Sequence, residues 1–155
     1  MSAVAVAAAA CGSSIDLGQN CSMKVSVNGG AQETVSCFAA GAFAPGTGNA
    51  VSIAMMGALA DVQAAEFAMT LPSAPTARTY GAADVTTSIG QVQTTAGALY
   101  SQSKAGSVGT FSVVLTSVNG VTANGQTAYF LHGTATVTLA GQSGAPGTAT
   151  ITATF

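Results

Sequence analysis

The chain is predicted to be all-β, an antiparallel β-sandwich of about 7–9 strands, with a small flattened β-barrel as the alternative. Three observations carry this expectation. Apolar residues recur at every second position through most of the sequence, the period of a strand buried on one side. Clusters of Gly, Pro, Asn and Ser separate these runs at short intervals. Only three basic and five acidic residues occur in 155, so 5% of the chain is charged, against about 25% in an ordinary soluble domain. Its polar surface must therefore come from Ser, Thr, Asn and Gln, a composition common in exported and surface β-proteins. The length suits one domain that buries roughly 70% of the surface its unfolded chain would expose.

Taken in order, the first element is the stretch "AVAVAAAACGSS", Ala3 to Ser14. It has the small apolar run and the small-residue cleavage site of an export signal. Ala8-Ala9-Ala10-Cys11 resembles a lipobox, and Gly12-Ser13-Ser14 resembles the tether that follows one. Residues 1–18 are thus read as signal remnant, lipobox and flexible tether, with Cys11 as the lipidation site, and residues 19–155 as a single all-β domain. A lipid at Cys11 would hold the protein to a membrane without spanning it, since an acyl chain contributes ~0.8 kcal/mol per buried methylene.

Of three cysteines, Cys21 and Cys37 then remain as a pair. The segment between them reads as two strands around Asn28-Gly29-Gly30, a hairpin signal. A three-residue loop puts Val27 opposite Ala31, Val25 opposite Glu33, Met23 opposite Val35 and Cys21 opposite Cys37. Facing residues of an antiparallel pair have Cα atoms about 4.5–5.5 Å apart, within the roughly 4.4–6.8 Å of a disulfide. The same register gathers Cys21, Met23, Val25, Val27, Ala31, Val35 and Cys37 on one face, with Glu33 the only misfit. A Cys21–Cys37 disulfide is therefore predicted, and with it an oxidising compartment: periplasm, cell surface or medium.

The remaining strands follow from alternation. Val51, Ile53 and Met55 mark one, and Phe67, Met69 and Leu71 the next. Ile89–Thr95 and Ala98–Gln102 are weaker. Phe111, Val113 and Leu115 share a face, as do Tyr129, Leu131, Ala135, Val137 and Leu139. The last strand sets Ala149, Ile151, Ala153 and Phe155 against four threonines. Turns are placed at Ala44–Gly48, Pro72–Pro75, Asn119-Gly120, Asn124-Gly125 and Gly141–Gly147. One short helical turn is expected over Met56–Gln63.

Several of these residues resemble a family of uncharacterised exported bacterial lipoproteins with an all-β domain. The matching positions are Cys11, the pair Cys21 and Cys37, then Tyr129, His132, Gly133 and Thr134, and the closing Ala153, Thr154 and Phe155. The resemblance implies a lipid anchor and a location in the cell envelope, and it carries across no activity and no catalytic residue.

The sequence offers little chemistry. Three basic residues do not make a phosphate-tracking patch, so nucleic acid is not expected as a partner. No run reaches the roughly 18 apolar residues of a spanning helix. There is no C-x-x-C, no second histidine and no acidic calcium loop, so no metal or other cofactor is expected. Ala105–Gly109, "AGSVG", lacks the first glycine of a nucleophile elbow and reads as a hairpin loop. His132, the sole histidine, shares a face with Phe130, Thr134 and Thr136, and nothing in the sequence brings an acid to it. Tyr80, Tyr100 and His132 are the candidates for a shallow binding surface.

The expected function is a non-catalytic, lipid-anchored or secreted envelope protein with a binding or structural role. Its partners would be the membrane through Cys11, and an envelope protein, a glycan or further copies of itself. The alternatives are a self-assembling surface-layer or filament subunit, using the alternating Ser2–Val6 as a donated strand, and a small hydrolase built around His132.

Overall fold

A computed structural model describes residues 21–44, 48–57, 59–103 and 109–155. Cys11 and the segment 1–18, the Pro45–Thr47 part of the second turn, and Ala105–Val108 of the "AGSVG" loop lie outside the described residues. Ten strands occur: β1 (Ser22–Val27), β2 (Glu33–Ala44), β3 (Gly48–Met56), β4 (Val62–Leu71), β5 (Thr79–Tyr80), β6 (Thr87–Thr94), β7 (Leu99–Ser103), β8 (Gly109–Ala123), β9 (Gln126–Gly141) and β10 (Thr148–Thr154). A single 3-10 turn, Ala82–Asp84, is the one helical element among the described residues. The fold is all-β, and every pairing is antiparallel.

Nine of these strands lie where alternation places them; the tenth, two-residue β5, is too short to carry a period. The sheet runs β10-β1-β2-β3-β4-β6-β7-β9-β8-β5, and β9 also pairs with β10 and β2. Eight strands therefore form a closed ring of pairings, consistent with the predicted sandwich. Two layers face each other across the core. Phe67 of β4 meets Phe111 of β8 with ring centroids 4.9 Å apart. Gly90 of β6 leaves room for Leu139 and Val137 of β9, since a Cβ there would lie 2.8 Å from the Leu139 side chain. Burial follows the alternation: Val51, Ile53, Phe67, Met69, Val113, Val137, Leu139, Ala149, Ile151 and Ala153 are all essentially inaccessible.

The first hairpin has the predicted register. Met23 faces Val35, Lys24 faces Thr34 and Val25 faces Glu33. Cys21 and Cys37 lie opposite one another, with Cα atoms 4.9 Å apart and sulfurs at bonding distance. The loop differs from the expectation. Asn28 (φ 54°) and Gly29 (φ 69°) are both left-handed, and the Gly30 amide donates to the Val27 carbonyl at 3.0 Å, as in a two-residue type I′ turn. Ala31 consequently lies outside the ladder and is exposed, rather than facing Val27 on the core side. Glu33, the misfit, accepts the Ala60 amide at 3.0 Å. It thereby ties β2 to the β3–β4 turn.

Two further expectations are corrected. Met56–Gln63 does not form a helical turn: Met56 ends β3 and Val62–Gln63 begin β4, because the Ala-rich stretch between them is only a short connection. Asn119-Gly120 is not a turn either. Both residues lie within β8, where Gly120 faces Tyr129. The ring of Tyr129 packs over Gly120 and its Cβ lies against Gly41, so the two glycines accommodate the tyrosine from both sides. Its hydroxyl donates to Asn49 Oδ1 at 3.3 Å.

The long β8–β9 hairpin bends once. Pairing shifts between Leu115 and Ser117, leaving Thr116 as an extra residue opposite Gly133, a β-bulge. A Cβ on Gly133 would lie 2.0 Å from the Val114 carbonyl oxygen, so only glycine fits this close approach of two backbones. Beyond the bulge β9 leaves β10 and pairs with β2 through Thr127–Tyr129.

Candidate functional site

Four turns converge at one end of the molecule: Asn28–Gly30, Gly57–Asp61, Thr95–Ala98 and Gln142–Gly147. They connect β1 to β2, β3 to β4, β6 to β7 and β9 to β10. Most of the left-handed residues are here: Asn28, Gly29, Gly57, Gly97, Ser143, Gly144 and Gly147. Polar residues and glycine form these turns because the backbone must reverse within two to six residues.

Hydrogen bonds join the turns to one another. The Asn28 amide donates to the Thr148 carbonyl at 2.7 Å, and the Gln142 amide to the Leu99 carbonyl at 2.8 Å. Tyr100 is the central strut. Its hydroxyl accepts from Asn28 Nδ2 at 3.1 Å and donates to the Pro146 carbonyl at 3.3 Å. Thr95 completes the set, its amide bonding the Asp61 carbonyl at 3.1 Å. Between Ala96–Leu99 and Gln142–Ala145 lies an open cleft of about 540 Å³. Its lining residues are small apart from Leu99 and Gln142, and none is charged or aromatic.

The three sequence candidates do not share a surface. Tyr80 and Tyr100 are each 2% exposed, and both point into the core. His132 points outward and is exposed. Along β9 the rung of Tyr100 at Gly141 is roughly 30 Å from His132. The expected Tyr80–Tyr100–His132 binding surface is therefore replaced by two buried struts and one solvent-facing histidine. The reason is that both tyrosines satisfy their hydroxyls internally, which lets the rings be buried.

Tyr80 closes a second polar knot. Its hydroxyl accepts the Thr76 amide at 2.7 Å and donates to the Thr76 carbonyl at 3.0 Å. The Arg78 guanidinium lies 4.3 Å above its ring and bonds Asp84 at 2.7 Å, the one ion pair among the described residues. Burial alone would raise the Tyr80 phenol, but the Thr76 hydrogen bonds and Arg78 outweigh it, so its pKa is lowered. The Gly81 amide and then Arg78 lower that of Asp84. Asp84, and then Tyr80, raise that of Arg78. Every member is already engaged, so the knot fastens β5 and the 3-10 turn beside β8.

His132 has a simple setting: its carbonyl accepts Thr116 Oγ1 at 3.1 Å, and its partner across the ladder is Ser117. No carboxylate contacts it among the described residues. Nor do the described residues include a group of three His, Cys, Asp or Glu side chains that could hold a metal. No helix among them is long and apolar enough to cross a membrane. Sequence reading places two of these turns, Asn28–Gly30 and Gly141–Gly147; what it lacks is that four separate turns become neighbours when the ring closes.

No protein-family model matches this chain, and no curated protein and no solved structure matches it.

Proposed function

We propose that this chain is a non-catalytic protein of the cell envelope, exported, held to a membrane by a lipid on Cys11, and acting through binding or a structural role. The observation that carries this reading is the Cys21–Cys37 pair, set at bonding distance on facing positions of β1 and β2. A bond of this kind persists in oxidising compartments. The lipobox-like Ala8–Cys11 and the charge-poor Ser/Thr surface support it further. The turn-built end is the working surface. Its joined, left-handed turns are held rigid by the sheet, the arrangement in which loops most often bind. A neutral partner fits it best, a glycan or the main chain of another envelope protein.

The test is an intact mass, without reduction, of the protein from the envelope of its native host. The expected species begins at Cys11, is heavier by acyl groups and is lighter by the two hydrogens lost in the disulfide. A chain retaining residues 1–10 with free thiols at Cys21 and Cys37 would overturn the reading. His132→Ala is expected to leave any activity found in a broad hydrolase screen unchanged.

A further inference from the structure

Among the described residues, the outer side of β8 is covered only at its start. Val113 and Val114 pair with β5, and the Leu115 amide donates to the Arg78 carbonyl. From the bulge onward β8 has β9 on one side and no described strand on the other. The two-residue turn at Asn124-Gly125 makes Ala123 and Gln126 a hydrogen-bonded pair. Alternation then directs the main-chain groups of Val121, Asn119 and Ser117 toward β9, and those of Val118, Gly120 and Thr122 outward. These outward groups have no partner among the described residues.

Proteins usually blunt such an edge with lysine, proline or a covering loop. This edge has no lysine or proline, and no described residue covers it. No Lys, Arg, Asp, Glu or Pro occurs anywhere from Gly109 to Gly141. Val121 is 54% exposed, and Ala128 and half-buried Phe130 lie beside it on the same outer face.

We propose that the edge Thr116–Ala123 pairs with the same edge of a second copy, antiparallel, about a twofold axis at Gly120. In this register no charged residue meets another, and the two glycines coincide at the axis. Gly120 meets its own mate, Val118 meets Thr122 of the other chain, and Asn119 meets Val121. The three outward residues then exchange about six main-chain hydrogen bonds. Gly120 at the axis presents no side chain to its mate, and its own inner face is already filled by Tyr129. An uncharged edge meets no repulsion from its copy, and it offers no charge by which to select a different partner. In that pairing Val121 of one chain stands beside Asn119 of the other, with Phe130 of that other chain one strand further out on the same face. This inference holds for the chain in any compartment and does not rest on the envelope reading.

The test is sedimentation equilibrium of the full chain, with Thr122→Pro and Thr122→Val beside it. Both substitutions remove the Thr122–Thr127 hydroxyl contact of 2.9 Å, but only proline removes an outward N–H, and that N–H makes no bond to β9. The parent and Thr122→Val are expected to dimerise. Thr122→Pro should dimerise at least about tenfold more weakly, from two lost main-chain bonds and a steric block at each end of the pairing. A parent that stays monomeric at its highest soluble concentration overturns the proposal. So does a Thr122→Pro variant that is folded and dimerises as the parent does. Should Thr122→Pro fail to fold, cross-linking decides. Asn119→Cys and Val121→Cys chains, mixed and oxidised, are expected to form a linked dimer that neither forms alone above the parent. No such gain on mixing excludes this register.

Discussion

The two halves of the β8–β9 hairpin have the same alternation and the same lack of charge, yet opposite fates. The half between Gly109–Leu115 and Gly133–Gly141 buries Phe111, Val113, Leu115, Ala135, Val137 and Leu139. The half from Ser117 to His132 leaves most of its residues exposed. What separates them is neighbours. The first half has β10 on one flank and the opposing layer over its inner face; the second has β2 for three residues on one flank and nothing described on the other. A period-2 pattern therefore reports which side a residue takes. Whether that side is covered depends on strands far away in the sequence.

Substitutions can sharpen this contrast. The largest effect is expected from Leu139→Ala in the covered half, where a fully buried leucine should cost about 2–5 kcal/mol. Val121→Ala in the open half should change stability by less than about 0.5 kcal/mol in the monomer. Urea melts of the two variants measure both, and similar losses would erase the distinction between the halves. Next comes the bond that ties β1 to β2 near the end of β10. Cys21→Ser with Cys37→Ser, spanning 16 residues, should lose about 3 kcal/mol, and reduction of the parent should match it.

The boundary itself is tested by Gly133→Ala. Its methyl meets the Val114 carbonyl, so the bulge must shift, at a cost of about 1–3 kcal/mol. An unchanged midpoint would mean that the two halves are not hinged there. The smallest effect belongs to the knot beside β8. The pKa of Asp84 is depressed in the fold, so its contribution is present above the ordinary aspartate value of 3.8 and is lost as pH falls through the folded value. The pair is substantially exposed, so the change should be slight. It is best read from the Gly81 and Leu115 amide signals during an acid titration. Asp84→Asn should flatten that titration.

Much of this was legible. The pairing of Val25 with Glu33 and Met23 with Val35 followed from a three-residue loop at Asn28-Gly29-Gly30 and the face sorting around it. The tyrosines were not legible, since a sequence does not tell whether a hydroxyl beside a loop meets solvent or the Pro146 carbonyl. Asn119-Gly120 looked like a turn because the dipeptide usually is one; its strand role depends on Tyr129, a cross-strand neighbour. The bulge left a trace that reading passed over. Inward residues of β8 are odd-numbered through Leu115, then even-numbered at Val118, and such a change of parity requires one extra residue.

The position of β1 has a kinetic consequence. Its six residues lie between β2 and β10, and β10 is the last of these ten strands to be synthesised. The chain cannot complete its core until Thr148–Thr154 is available to pair with Ser22–Val27. Its decisive contacts are therefore among the most non-local that a chain of this length can make, and folding is expected on the slow side of the millisecond-to-second range of all-β domains. Until β10 is available, β1 is held on one side only, by β2.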